Sequence, residues 1–207
     1  MYLGESHKVT MGLIAINLAV FALTVIANPL SPDPRSNVVM LFLAQTNALV
    51  WAGWYWQLFT SMFVHFGING CQICSFHLIF NMLALYYFGS FIESVYTKLE
   101  YLAIYILSGL VGNVATLVLM PPYIVSGGAS GSIFGLLGAY VAVRREVGGF
   151  SAALMYALFI FLWSSGPGVN ILAHFFGLLV GLVLGLLFRS MVKRRWRRIY
   201  YEYRGYY

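Results

Sequence analysis

The sequence predicts an all-α integral membrane protein, a bundle of six transmembrane helices with a long first outside loop. Its 207 residues are 61% hydrophobic and 9% charged, with a mean hydropathy of +0.82, whereas soluble domains carry about 25% charged residues. A helix needs about 20 residues to cross a hydrocarbon core of about 30 Å. Six apolar stretches approach this length, although the fourth and fifth are shorter: roughly Val9–Ala27, His77–Tyr96, Tyr101–Met120, Ser130–Val143, Phe150–Trp163 and Val169–Phe188.

The basic residues predict the orientation. With six crossings both chain ends lie on one side, and only Arg35 of the twelve Lys and Arg residues falls on the other. Basic residues collect on the cytoplasmic side, so we expect a plasma-membrane protein with both termini cytoplasmic. The same distribution explains the net charge of +6 without a nucleic-acid partner. No cleavable signal peptide is apparent, and we expect the first helix to be retained.

We expect a single membrane domain over residues 1–207. A six-helix core would occupy about 9–188, a loop lying in the membrane interface 28–76, and a basic cytoplasmic tail 189–207. The aromatic residues in the second half of the loop favour an interfacial position, although each Trp alone could belong to an ordinary aromatic belt. The tail is expected to contact anionic lipid, and its tyrosines have no assigned role.

Four polar residues stand at apolar stretches, namely Ser130, His174, His77 and Asn81. Polar groups inside a membrane are costly, and functional roles are their default interpretation. The predicted topology places all four in the outer half of the bilayer, and Asn81 lies one turn from His77 on the same helix face. Serine with histidine is the minimum set for nucleophilic acyl transfer. Each residue alone has a structural explanation, such as a bond to its own backbone or to another helix.

Small residues predict that the fourth and sixth stretches pack closely. Glycines recur at about every fourth position on both, and such spacing lets helices approach one another in lipid. Packing alone would explain these glycines, but it is also what a hydrogen bond between Ser130 and His174 requires. The glycines are Gly131, Gly135 and Gly138 on the fourth stretch and Gly177, Gly181 and Gly185 on the sixth.

The acidic residues limit the possible chemistry. None of the six Asp and Glu lies in the outer half of a predicted helix, so a Ser–His dyad is expected rather than a triad with a carboxylate. Paired membrane aspartates, the H-E-x-x-H pattern of zinc proteases and the G-x-S-x-G elbow of soluble hydrolases are all absent from the sequence. We expect no cofactor and no metal ion.

The residues resemble the rhomboid family of intramembrane serine proteases. Gly128-Ala129-Ser130-Gly131 resembles its G-x-S-G motif, His77-Leu78-Ile79-Phe80-Asn81 its H-x-x-x-N motif, and Ala173-His174-Phe175-Phe176-Gly177 its A-H-x-x-G motif. They stand in the family's order on the second, fourth and sixth stretches, and the resemblance covers roughly Trp56 to Phe188. It implies Ser130 as nucleophile, His174 as general base, and His77 and Asn81 with the Ser130 N–H as the oxyanion hole. Membrane proteins with one or few spans are the implied substrates.

Two positions depart from the family's pattern. Trp56-Gln57 stands where family members often have Trp-Arg, which removes a charged anchor of the first loop. Residues Gly67 to Phe76 lengthen the usual distance between His65-Phe66 and His77, and this insertion could tilt the loop or alter access. His65 itself is expected to orient the loop rather than to act in catalysis.

Alternative interpretations remain for some residues and for the whole chain. Cys71 and Cys74 could form a metal site with neighbouring histidines, although a strained local disulfide or free thiols are favoured. The chain could be a rhomboid-like protein that binds membrane clients without cleaving them, but both dyad residues are present. A transporter or channel is disfavoured because no charged residue stands at the centre of a predicted span.

Overall fold

The computed structural model describes residues 7–28, 36–67, 75–166 and 168–188. Within these ranges a helix occurs at each of the six apolar stretches, and three of them, α1, α2 and α3, are long and apolar enough to cross a membrane. Cys71, Cys74, most of the Gly67–Phe76 insertion and the predicted tail 189–207 lie outside the described residues. The helices are α1 (Lys8–Ala27), α2 (Phe76–Val95), α3 (Lys98–Leu119), α4 (Ser130–Val147), α5 (Phe150–Trp163) and α6 (Ile171–Leu187).

Short elements occupy the connection between α1 and α2. A two-residue strand β1 (Gln45–Thr46) pairs antiparallel with β2 (Val125–Ser126), with Gln45 opposite Ser126. The all-α prediction did not include this ladder, because two residues are too few to give an alternating pattern. The ladder joins the first connection to the segment just before α4. The other elements of the connection are the helices Val38–Leu43, Asn47–Trp51 and Gln57–Thr60 and the 3₁₀ turn Ser61–Phe63.

Helix α4 begins where the apolar pattern predicts, at Ser130, but it ends four residues later than Val143. The predicted end was wrong because Arg and Glu are good helix formers and continue the helix beyond its apolar part. The helix stops at Val147, before Gly148 with its φ of +95°.

Helix α4 is the centre of the described bundle, and all its residues from Gly131 to Ala139 are buried. Gly177 of α6 packs against the carbonyl oxygen of Gly131, and Gly181 packs against the carbonyl oxygen of Gly135. The close approach predicted from the glycines is therefore confirmed, since the two helices meet backbone to backbone.

Polar side chains cap the ends of two helices. Glu93 of α2 accepts hydrogen bonds from the backbone N–H groups of Val9 and Thr10, both at 2.9 Å, and from Thr10 Oγ1 at 2.7 Å. Its carboxylate therefore caps α1, where unpaired N–H groups and the helix dipole favour a negative charge. Asn170 caps α6 by accepting from the Ala173 N–H at 3.1 Å.

Candidate active site

Ser130 is the first residue of α4, and its side chain is partly exposed. The N–H groups of a first helical turn lack partners within the helix, so the Ser130 hydroxyl lies beside free backbone donors. The turn into the helix passes through Gly128, whose φ of +139° favours glycine.

The segment before Ser130 is attached to the first connection. In addition to the β1–β2 ladder, the Gly128 N–H donates to the Ser61 carbonyl oxygen at 2.9 Å. A Cβ built on Gly127 would lie 3.1 Å from the Val64 carbonyl oxygen, so the two segments are in close contact there. The position of the serine therefore depends on contacts with residues far away in sequence.

His174 is buried in the first turn of α6, with 4% of its surface exposed. Its ring stacks on Phe134, with 4.3 Å between the ring centroids and 22° between the planes. Phe134 lies one turn after Ser130 on α4, and helical side chains lean towards the N-terminus of their helix. The stack therefore holds the His174 imidazole against the turn of α4 that carries Ser130.

No hydrogen bond joins Ser130 and His174 within the described ranges. Catalytic hydrogen bonds are often long in a protein without substrate and shorten when the substrate binds. The Nδ1 nitrogen of the His174 ring does have a partner, since it lies 3.4 Å from Ser164 Oγ. Neither Phe134 nor Ser164 was predicted as a site residue. The spacing of Phe134 from Ser130 was a usable signal, whereas Ser164 belongs to no motif.

His77 lies across a small space from Ser130. A Cβ built on Gly128 would lie 3.1 Å from His77 Nε2 and 3.6 Å from Ser130 Oγ, so both side chains border the space that a side chain on Gly128 would fill. The His65 ring stands behind His77, with 5.1 Å between centroids. Burial lowers the pKa of His65 to about 3, so this ring is neutral at physiological pH.

Asn81 lies one turn further along α2 and is buried. Its Nδ2 donates to the His77 carbonyl oxygen at 2.7 Å, which uses one of its two N–H donors. Its Oδ1 is buried without a hydrogen-bond partner in the described part of the chain. The structure thus brings Ser130, His174 and His77 around one region, while the bond described for Asn81 stays on its own helix.

Gln57 anchors the first connection where an arginine was expected from the resemblance. Its side chain is fully buried; Oε1 accepts from the Thr46 N–H and Nε2 donates to the Leu41 carbonyl oxygen, both at 2.9 Å. A neutral amide therefore ties β1 to the helix before it, and the loss of the arginine does not leave this part of the loop without an anchor.

No group of three or more His, Cys, Asp or Glu residues suited to a metal ion occurs within residues 7–28, 36–67, 75–166 and 168–188. The metal-site alternative for Cys71 and Cys74 concerns residues outside these ranges.

A family model described as the Rhomboid domain matches residues 52–191. The chain belongs to the rhomboid family. It is 33% identical over 151 residues to the YdcA protein of Bacillus subtilis, covering 70% of this chain and 72% of that protein. Rhomboid protease GluP of Bacillus subtilis is 38% identical over 114 residues, which are 54% of this chain and 21% of GluP.

Inactive rhomboid protein 2 of Homo sapiens is also similar, with 30% identity over 142 residues that make up 65% of this chain and 16% of the human protein. Relatives therefore include both a protease and an inactive protein. The family's multi-pass membrane character agrees with the apolar helices of this chain.

Proposed function

We propose that the chain is an intramembrane serine endopeptidase that cleaves peptide bonds in or near transmembrane segments by a Ser130–His174 dyad. The stack of His174 on Phe134 carries this proposal, because it holds a buried imidazole beside the turn that presents a partly exposed serine hydroxyl. The similarity to a rhomboid protease supports the same conclusion.

The proposed reaction follows from these groups. Ser130 Oγ attacks the scissile carbonyl carbon while His174 accepts the hydroxyl proton, and the imidazolium then donates that proton to the leaving amine. Water next attacks the acyl-enzyme with His174 again as base, which releases the new carboxylate and restores the serine.

The oxyanion of the tetrahedral intermediate would be bound by the Ser130 N–H, His77 and Asn81. The approach of His77 to the space over Gly128 supports its role. Asn81 retains one N–H beyond its bond to the His77 carbonyl, and a small side-chain rotation would redirect it. One such donor contributes about 3 kcal/mol to transition-state stabilisation in soluble proteases.

We further propose that all six helices cross the plasma membrane, with both termini in the cytoplasm and residues 1–207 forming one membrane domain. The apolar part of α4, Ser130–Val143, has about 14 residues and is about 21 Å long, so with Arg144 and Arg145 at the inner surface Ser130 would open α4 below the outer surface. Irregular backbone at that depth is tolerated only inside protein or beside a water-filled cavity. The contacts of Gly128 with the first connection are consistent with a position inside protein for the segment before Ser130. That connection would lie in the interface, over the site.

The substrates would be membrane proteins whose helices unwind near small or helix-breaking residues, because a regular helix hides its carbonyl carbons from a nucleophile. We would test the proposal by reconstituting the full chain into liposomes with a single-span substrate and detecting cleavage products by mass spectrometry. The variants would be Ser130→Ala, His174→Ala and the control Ser132→Ala, whose hydroxyl is buried towards Gly109 of α3.

Cleavage by the wild type and by Ser132→Ala, with none by the two dyad variants, is the expected result. Cleavage that survives Ser130→Ala would refute the proposed nucleophile. A folded wild type that binds single-span proteins without cleaving them would instead favour the non-catalytic, client-binding alternative.

A further inference from the structure

Ser164 stands at the point where α5 ends, directly after Trp163. Its hydroxyl is the group within hydrogen-bond distance of His174 Nδ1, at 3.4 Å. The imidazole is thus held on two sides within the described site. Phe134 contacts its face, and Ser164 contacts the edge that carries Nδ1.

A second hydrogen bond of the Ser164 hydroxyl indicates which of the two groups, Ser164 or His174, donates in the contact between them. Ser164 Oγ also lies 3.1 Å from the Phe161 carbonyl oxygen, to which it donates. A serine hydroxyl has one proton and two acceptor lone pairs. Because the carbonyl can only accept, the shorter 3.1 Å contact favours placing the proton on the bond to Phe161, and Ser164 then meets His174 as an acceptor.

An acceptor at Nδ1 determines where the imidazole carries its proton. Nδ1 is then protonated, and Nε2 keeps the lone pair. The tautomer of a histidine is fixed by the hydrogen bond that its other nitrogen makes, and a general base needs an unprotonated nitrogen towards its nucleophile. In soluble serine proteases a carboxylate has this orienting role, but α5 and α6 contain no acidic residue.

We propose that Ser164 is a positioning residue for the general base: its hydroxyl accepts from His174 Nδ1–H and leaves Nε2 free to accept the Ser130 proton. This inference rests on the proposed protease function. A neutral hydroxyl at 3.4 Å contributes less than a buried carboxylate, and its loss should lower kcat by about 3- to 10-fold, the range of one ordinary hydrogen bond. KM should hardly change, because Ser164 acts on the base and not on the substrate.

Ser165 provides a matched control. It follows Ser164 directly and donates to the same Phe161 carbonyl oxygen at 2.6 Å, but it has no described contact with His174. Ser164→Ala should lower kcat, whereas Ser165→Ala should not. Ser164→Thr keeps the hydroxyl and should restore most of the activity. Equal kcat values for Ser164→Ala and Ser165→Ala would overturn the proposal.

A spectroscopic measurement separates positioning from a structural role. The chain has four histidines, so the full-length protein with ¹⁵N-labelled histidine in detergent micelles gives few signals, and His174→Ala assigns those of His174. The wild type and Ser165→Ala should show Nδ1 protonated and Nε2 bare, whereas Ser164→Ala should show a mixture of tautomers. A wild type with its proton on Nε2, or an unchanged tautomer in Ser164→Ala, would overturn the inference.

The two readouts also distinguish the failure of this inference from that of the proposed function. Wild-type protein without cleavage would contradict the protease proposal, while the tautomer would still decide whether Ser164 orients His174. Wild-type cleavage with Ser164→Ala indistinguishable from Ser165→Ala would leave the protease proposal intact and remove Ser164 from it.

Discussion

The close contact between Gly177 of α6 and Gly131 of α4 predicts that the packing of these helices controls the reactivity of Ser130. Gly177 lies three residues after His174, and Gly131 follows Ser130, so this contact sits directly beside the proposed dyad. A Cβ added at Gly177 would lie 3.0 Å from the Gly131 carbonyl carbon and closer still to its oxygen. Because carbon atoms reach optimal contact at about 3.5–4.0 Å, α4 and α6 would have to separate by on the order of 1 Å.

We therefore expect Gly177→Ala to reduce the rate of reaction with a fluorophosphonate by about 100-fold, the usual cost of a 1 Å displacement of reacting groups. Overpacking should also lower the free energy of unfolding by about 1–3 kcal/mol. The rate would be measured by in-gel fluorescence over time at a temperature where both proteins are folded, and the unfolding by thermal denaturation in detergent.

Gly12→Ala is the matched control, since a Cβ at this exposed helical glycine of α1 meets nothing within 4 Å. It should react at the wild-type rate and gain up to about 1 kcal/mol of stability from better helix propensity. Wild-type labelling by Gly177→Ala, with unchanged unfolding, would refute the claim that this close contact positions the dyad.

Three further substitutions test the surroundings of the site. Glu93→Gln should lower the free energy of unfolding by about 1–3 kcal/mol, because an amide cannot accept from all three donors of α1; an unchanged thermal midpoint would contradict this. Gln57→Ala should leave the Thr46 N–H unpaired and destabilise the protein by about 1–3 kcal/mol, with increased proteolysis of the first connection as the local readout. Gly128→Ala should abolish cleavage and also lower the free energy of unfolding, because its methyl would lie 2.9 Å from His77 Cε1 and its φ of +139° is strained for alanine; substantial remaining kcat would count against the role of the space between His77 and Ser130 in binding the oxyanion.

The positions of the helices and of Ser130 were predictable from the sequence. The apolar stretches predicted the start of α4 at Ser130 and both ends of α5, because in a membrane protein the extent of an apolar stretch indicates the extent of the helix. The glycine spacing gave the contact between α4 and α6, since small residues one turn apart form a flat helix face on which a second backbone can pack closely in lipid.

The surroundings of His174 were only partly predictable, since the spacing of Phe134 from Ser130 placed both on one face of α4 but did not indicate that His174 stacks there. Its stack on Phe134 and its contact with Ser164 join three helices, and no short motif encodes such a meeting. The anchoring by Gln57 was missed for a similar reason: its two partners lie in an irregular segment whose path depends on tertiary contacts. The β1–β2 ladder consists of two residue pairs, which is too little to leave a periodic signal.

The most direct test of the Ser130–His174 dyad is to map the site of fluorophosphonate attachment by peptide mass spectrometry on the full-length protein in detergent. The dyad predicts one adduct, on Ser130, that is lost in His174→Ala while that variant keeps the thermal midpoint of a folded protein. An adduct on a different serine, or undiminished modification of Ser130 in His174→Ala, would contradict the assignment of His174 as the base that activates Ser130.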